Sequence, residues 1–473
     1  MPAELTMERF RDIDRGPGAM SRVVGLYQML LRRALEHFFP DATFEAVGDR
    51  SFIAVEPDSY GASYFFEDDA NGLGMEIEWF RTRYLLSPGS PRPFQPSERK
   101  LVEATVHLLD RRFRALFDPE ASQREEMFHF AIEDFIVADD LDSPDSIRIP
   151  AALEALRVAA LSTYENRRVS TGVLLLGTDH DPACPGRVNS PGAPRYNVRL
   201  SAIKSLHRMC DGLRTLYLVD RSGDLAWAVD IERWADRVQG DLPLPAPCSR
   251  LYTNHARATL TGGHVALVLS PSQEIKIFAH GMPAFAFSDA RWRLMDVPTK
   301  YAAWCRGVGD TGVCDLARKV FQAALNLAED RRGALFVVLR DPEQSLHRLV
   351  APGDRIHDEV VSDDPSDPDN LSPRLAKRAL HHLARGQSLD TMDVSVLEAL
   401  AGIDGAVVTD PTGRLLTFGA ILRVAPEVVL APRAIEGART TAALAGSLHG
   451  PVLKVSEDGY VTMYLGGHRV WEL

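Results

Sequence analysis

The chain has 473 residues, with Lys plus Arg at 53 and Asp plus Glu at 65, a formal net charge of −12. Length suggests about three domains at roughly 150 residues each, and 45% apolar with 25% charged residues fits a globular chain with a substantial core. The acidic balance argues against sequence-independent binding to nucleic acid or to an anionic membrane and leaves room for a local basic pocket.

No apolar run reaches ~18 residues, so no membrane-spanning helix is expected. The N-terminal residues Glu4, Glu8, Arg9, Arg11, Asp12 and Asp14 do not form the apolar centre of a secretory signal. Cys184, Cys210, Cys248, Cys305 and Cys314 are odd in number and form no C-x-x-C, which argues against a disulfide framework or a structural zinc site. A cytoplasmic protein is expected.

In chain order, a helix is predicted over Val23–Phe39, stopped by Pro40. A mixed stretch runs to Tyr84, followed by the breakers Ser87-Pro88-Gly89-Ser90-Pro91-Arg92-Pro93. Val102, Val106, Leu109, Phe113 and Leu116 then recur at helical spacing and read as one buried face. Asp139, Asp140, Asp142 and Asp145 with Ser143-Pro144 mark a boundary, so residues 1–150 are expected to be a helical or α+β accessory domain.

From residue 151 one pattern occurs twice. A helix over Ala151–Tyr164 leads through Glu165-Asn166-Arg167-Arg168 to the apolar run Gly172–Leu176. A helix over Val313–Ala328 leads through Glu329-Asp330-Arg331-Arg332 to Gly333–Val338. Helical stretches follow at Leu200–Met209 and Thr391–Leu400. Next come strand–turn–strand segments around Asp220-Arg221-Ser222-Gly223 and Asp410-Pro411-Thr412-Gly413. Ala256-Arg257 and Ala438-Arg439 follow, and each half closes on a hairpin, Val265–Ser270 with Ile275–Gly281 and Val452–Ser456 with Tyr460–Gly466. Repetition on this scale reads as an internal duplication. The expected fold is α/β: two related units, 151–300 and 301–473, with mixed twisted sheets flanked by helices, beside the accessory domain. The acidic run from Asp354 to Asp369 in the second unit reads as a solvated loop.

Gly307-Val308-Gly309-Asp310-Thr311-Gly312 fits G-x-G-x-x-G, but Tyr301–Arg306 before it do not read as a buried strand, so a glycine-rich linker is expected in place of a dinucleotide site. His381-His382 is expected to be solvated on a polar helix. His255 and His264 are expected to be hydrogen-bonded structural residues.

Gly333–Val338, Asp404-Gly405-Ala406, Gly419–Leu422, Gly437-Ala438-Arg439-Thr440-Thr441 and Val455-Ser456-Glu457-Asp458-Gly459 follow in that order. In this order they resemble the diadenylate cyclase domain of the DNA-integrity scanning protein type, with its G-A-L-[IV]-[VI], D-G-A, G-C-x-L, G-T-R-H-R and V-S-E-E-x-G segments. The resemblance covers roughly residues 313–467. It implies a ligand-binding set of Asp404, Gly405, Ala406, Arg439, Thr440, Thr441, Ser456 and Glu457, with Arg257 as the counterpart from the first unit. Thr440 and Thr441 stand where the family has the histidine and second arginine that help hold metal and phosphates. Threonine is a poorer metal ligand than imidazole and carries no charge, so turnover should be lost where binding can survive. In the first unit Arg214-Thr215 or, with a three-residue shift, Asp211-Gly212 matches the D-G, and Ser270 is followed by Pro271.

The arrangement resembles the non-catalytic DACNV-type sensor domains more than the enzymes. The implied function is a sensor that binds a nucleotide or cyclic dinucleotide without converting it and signals to a downstream effector protein. It requires no cofactor, although Mg²⁺ or Mn²⁺ could accompany the nucleotide. The alternatives are an active diadenylate cyclase and a scaffold that binds nothing.

Overall fold

The computed structural model describes residues 17–47, 66–68, 73–80, 82–89, 92–116, 130–141, 147–177, 192–201, 206, 209–239, 242–309, 314–356, 380–382, 384–424 and 437–473. Helix α1 (Pro17–Phe38) buries Tyr27, Leu31, Leu35 and Phe38, a stripe at helical spacing. Strands β1 (Thr43–Val47), β2 (Phe66–Asp68), β3 (Met75–Trp79) and β4 (Thr82–Ser87) form an antiparallel sheet in the order β1-β4-β3-β2. Met75, Ile77 and Trp79 alternate inward along β3. Helix α2 (Pro96–Ala115) adds Val102, Val106, Leu109 and Phe113 to the same core, whereas Leu116 lies just past the helix end and is exposed.

Helices α3 (Ile132–Asp140) and α4 (Arg148–Ala160) follow. Asp134 of α3 is fully buried and receives both Arg157 Nη1 at 2.5 Å and Nη2 at 2.6 Å from α4. The helix expected to reach Tyr164 stops at Ala160, because Glu165 (φ 50°) and Asn166 (φ 61°) turn left-handed and close a two-residue ribbon of Thr163–Tyr164 against Arg167–Arg168. Asp142, Asp145 and Ser143-Pro144 lie outside the described residues, as does the acidic run beyond Ile356.

The first repeat supplies β5 (Thr171–Leu175), β6 (Thr215–Val219), β7 (Leu225–Asp230), α5 (Ile231–Gln239), α6 (Thr253–Ala258), β8 (Val265–Leu269), β9 (Ile275–Ala279), β10 (Met282–Ser288) and β11 (Arg291–Leu294). Its sheet runs β7-β6-β5-β8-β9-β10-β11. Then come α7 (Val297–Val308), α8 (Cys314–Glu329), β12 (Ala334–Val338), α9 (Pro342–Leu349), α10 (Val394–Ala401), β13 (Ala406–Thr409), β14 (Leu415–Ala420), α11 (Ala438–Ser447), β15 (Val452–Val455), β16 (Val461–Leu465) and β17 (His468–Glu472), with the order β14-β13-β12-β15-β16-β17. The strand order repeats, and so does its polarity: β5–β6 and β12–β13 are parallel, and all other neighbours are antiparallel. The protein is therefore α/β, with two mixed sheets flanked by helices. The central strands β5, β8 and β12 are buried throughout, which is why they read as unbroken apolar runs.

The turns repeat as well. Asp220 Oδ1 accepts from the N–H groups of Ser222 and Asp224, as Asp410 Oδ1 does from Thr412 and Arg414, and Gly223 and Gly413 have φ of 87° and 88°. Ser270 N–H donates to Glu274 O and Ser456 N–H to Tyr460 O, both at 2.8 Å.

By contact the chain falls into two compact units, Met1–Val238 with Ala258–Met295, and Gln239–Arg257 with Asp296–Leu473. Within the second unit, residues 248–250 are laced to α8. Gln322 Nε2 donates to Cys248 O, Arg250 N–H to Asn326 Oδ1 at 2.7 Å, and Asn326 Nδ2 to the buried Glu398 of α10 at 2.5 Å. Among the described residues no helix is long and apolar enough to cross a membrane.

Candidate functional site

The parallel pairing of β12 and β13, with Phe336 opposite Val407, sets Gly333 and Gly405 at one end of the six-stranded sheet. β15 runs antiparallel to β12 with Ala334 opposite Val455, which brings the Ser456–Gly459 turn to that same end. Asp404 is exposed just before β13. Gly405 has φ +117°, and a Cβ there would stand 2.5 Å from the Gly419 carbonyl carbon, so glycine is required on both counts. Ala406 is buried in the core against Ala420.

Arg439 is the second residue of α11, where free N–H groups and the positive helix end favour an anion. Its Nη1 donates to Glu457 Oε1 at 2.7 Å, in a pair whose side chains are 44% and 67% exposed. The guanidinium lies over Gly333, where a Cβ would stand 2.2 Å from Nη1. Thr440 is buried, and its Oγ1 accepts from Lys454 Nζ at 3.1 Å. Thr441 Oγ1 donates to the Gly437 carbonyl at 3.2 Å. Ser456 Oγ stands 3.3 Å from Asp458 Oδ2, and Arg331 Nη1 donates to the Asp458 carbonyl.

Asp404, Gly405, Arg439, Thr440, Thr441, Ser456 and Glu457 thus come from three separate segments to one end of one sheet. Arg257 lies on α6, with Nη1 3.5 Å from Asn254 Oδ1.

Lys454 and Arg331 were missed as site residues. Arg331 stood in the repeated E-[ND]-R-R tetrapeptide, read only as a repeat marker. Lys454 had a signal of its own, as the one charged residue in the strand Val452-Leu453-Lys454-Val455. At the position where the family resemblance puts histidine, the Thr440 hydroxyl already accepts from an ammonium. Among the described residues no three His, Cys, Asp or Glu side chains converge as a metal cluster.

In the first unit Tyr217 stands opposite Val173 as Val407 does opposite Phe336, which places Arg214-Thr215 at the Asp404-Gly405 position. Asp211 instead caps its own turn, accepting from the N–H groups of Leu213, Arg214 and Thr215. Burial opposes its ionisation, but those N–H groups outweigh it and hold the carboxyl below its ordinary pKa.

Gly307 lies inside α7, which Gly309 ends at φ +118°, so a helix and no strand precedes the glycines; Asp310, Thr311 and Gly312 lie outside the described residues. His381, expected to be solvated, is buried edge-on against Phe418 at 4.9 Å, while His382 is exposed. The one-residue offset on a helix sends the two rings to different faces. His264 is buried, and its Nδ1 accepts from Gly177 N–H at 3.1 Å; His255 is buried against Tyr252. Cys210, Cys248 and Cys305 are free thiols, and burial pushes Cys210 up to about 12, leaving it unreactive.

No protein-family model matches the chain, and neither does any curated protein sequence. A crystal structure of DacA from Staphylococcus aureus, in a double-mutant form, is similar to it at 16% identity with a TM-score of 0.21, covering 33% of this chain and 83% of that one. At that TM-score the likeness says nothing of what this chain binds.

Proposed function

We propose that the second unit is a nucleotide-binding sensor module that holds a nucleotide or cyclic dinucleotide by its phosphate at the Gly333–Arg439–Glu457 end of the six-stranded sheet and does not convert it. The observation that carries this reading is the seat of Arg439, at the N-terminal end of α11 with its guanidinium over a glycine and its acid partner Glu457 exposed. An exposed ion pair contributes about 0–1 kcal/mol to stability, so the Glu457 contact gives Arg439 little reason to be there for the fold alone. A guanidinium offers two parallel donors to a phosphate. Thr440 and Thr441 support the absence of turnover, because neither supplies the charge that phosphoryl transfer needs.

The test has two arms. A thermal-shift screen against nucleotides and cyclic dinucleotides should raise the melting temperature with ligand concentration. Incubation of the full chain with ATP and Mg²⁺, Mn²⁺ or Co²⁺ should yield no cyclic di-AMP above background. Multiple-turnover product would replace the sensor with a cyclase, and a flat screen would leave the scaffold reading.

A further inference from the structure

We propose that His37 is an acid-sensitive latch: as a neutral imidazole it holds helix α1 on strand β11 through the Trp292 N–H, and taking up a proton releases that hold. The inference is independent of what the second repeat binds, because every residue in it belongs to the first compact unit.

The two repeats differ by one strand. The order β7-β6-β5-β8-β9-β10 matches β14-β13-β12-β15-β16-β17, and β11 is added beyond it as the edge of its sheet. An edge strand turns alternate backbone groups away from its one neighbour, and each needs a partner once it is covered. Helix α1 packs against β11, and there Trp292 N–H donates to His37 Nε2 at 3.1 Å. Helix α3 holds the same residue a second time, since the Trp292 indole N–H donates to the buried Asp134 Oδ1 at 3.2 Å. The Trp292 ring is itself buried against Phe285 and Phe287. The added strand is thus tied to the N-terminal helices through one residue and two acceptors.

Of the two acceptors, only imidazole ordinarily turns from acceptor to donor near neutral pH. A backbone N–H can only donate, so His37 Nε2 carries no proton here and the neutral ring keeps its proton on Nδ1. The imidazolium has an N–H at both nitrogens. It cannot accept from Trp292, and two donors would then face each other.

The surroundings resist that proton. Burial has the largest influence on His37, and Arg291 of β11 and Arg33 of α1 act in the same direction. Together they outweigh the carboxylates of Glu133 and Asp134 on α3, so the ring titrates below its ordinary value. As pH falls below ~6.5 the unfolded chain takes the proton before the folded one does. The hold is therefore complete above that value, weakens below it, and is lost once pH passes the lowered value.

The experiment follows the full chain from about pH 7.5 to about pH 4.5 by histidine-ring NMR and by hydrogen exchange of the β11 segment. The His37 ring is assigned through its contact with the Phe38 ring, 5.3 Å away. The expected result is the Nδ1–H tautomer at the upper end, a midpoint below ~6.5, and a fall of about tenfold or more in protection of the Trp292 amide at that same midpoint. In His37→Gln the side-chain oxygen accepts the same N–H without titrating, so protection should stay level there. An Nε2–H tautomer, a midpoint at or above ~6.5, or wild-type protection that stays level through the midpoint overturns the inference. An equal loss in His37→Gln also overturns it, by placing the acid sensitivity at another group such as Asp134. The tautomer and the coincidence of the two midpoints are read in the wild type, so they decide the matter even where the variant folds poorly.

Discussion

The two repeats share a strand order, a polarity pattern and two hairpin turns, yet differ at one end of the sheet. Where the second has Gly333, Thr440, Lys454 and Glu457, the first has Ser170, Ala258, Val268 and Pro271. Each replacement removes either a polar group or the space for one, since the Cβ of a residue at the Gly333 position would meet the Arg439 guanidinium. Backbone hydrogen bonding and apolar burial maintain the scaffold in both repeats, and the side chains at that end are free to differ because the fold does not depend on them.

The repeats also differ in how the helix before the central strand is fastened. In the first, Arg157 of α4 holds the buried Asp134, which also accepts from Trp292 Nε1 at 3.2 Å. In the second, Asn326 of α8 meets Glu398 and the backbone of Arg250.

Breaking the first fastening should have the largest effect. Asp134→Ala leaves Arg157 facing a buried void, and urea unfolding should show a loss of about 3–5 kcal/mol. A loss under 1 kcal/mol would mean the pair is not what joins α3 to α4. Glu398→Ala should be milder, about 1–3 kcal/mol, because it deprives one neutral amide of its acceptor and Arg250 is largely exposed.

The smallest effect belongs to Asp211. Its folded pKa is depressed, so its charge contributes stability above the unfolded value near ~3.9 and loses it as pH falls through the folded one. Asp211→Asn should therefore be less stable than wild type at neutral pH, by at most about 1 kcal/mol given the residue's exposure. The gap should close below pH ~4. A gap that persists into acid would show that the carboxylate charge is not what orders the turn before β6.

Much of this architecture was legible in the sequence because central strands buried on both faces read as apolar runs and because Asp-x-x-Gly turns recur. The ribbon at Glu165-Asn166 was not, since left-handed φ at Glu165 has no compositional signal. The strap from 242 to 257 was hidden too: its hold on α8 runs through backbone groups at Cys248 and Arg250, which any residue carries. For the candidate site, motif order singled out Asp404, Arg439 and Ser456, which the structure sets at one end of the six-stranded sheet. Lys454 escaped because a lysine in a strand reads as an edge residue until the register shows what stands opposite it.

The central claim is that Arg439 grips a ligand phosphate. Calorimetric titration of ATP and cyclic di-AMP into wild type and Arg439→Ala, with melting curves of both, tests it most directly. An affinity loss of roughly 1.5–3 kcal/mol with the melting temperature nearly unchanged is expected. Preserved affinity with a large drop in melting temperature would contradict it, making Arg439 a structural residue and leaving the sheet end without its anchor.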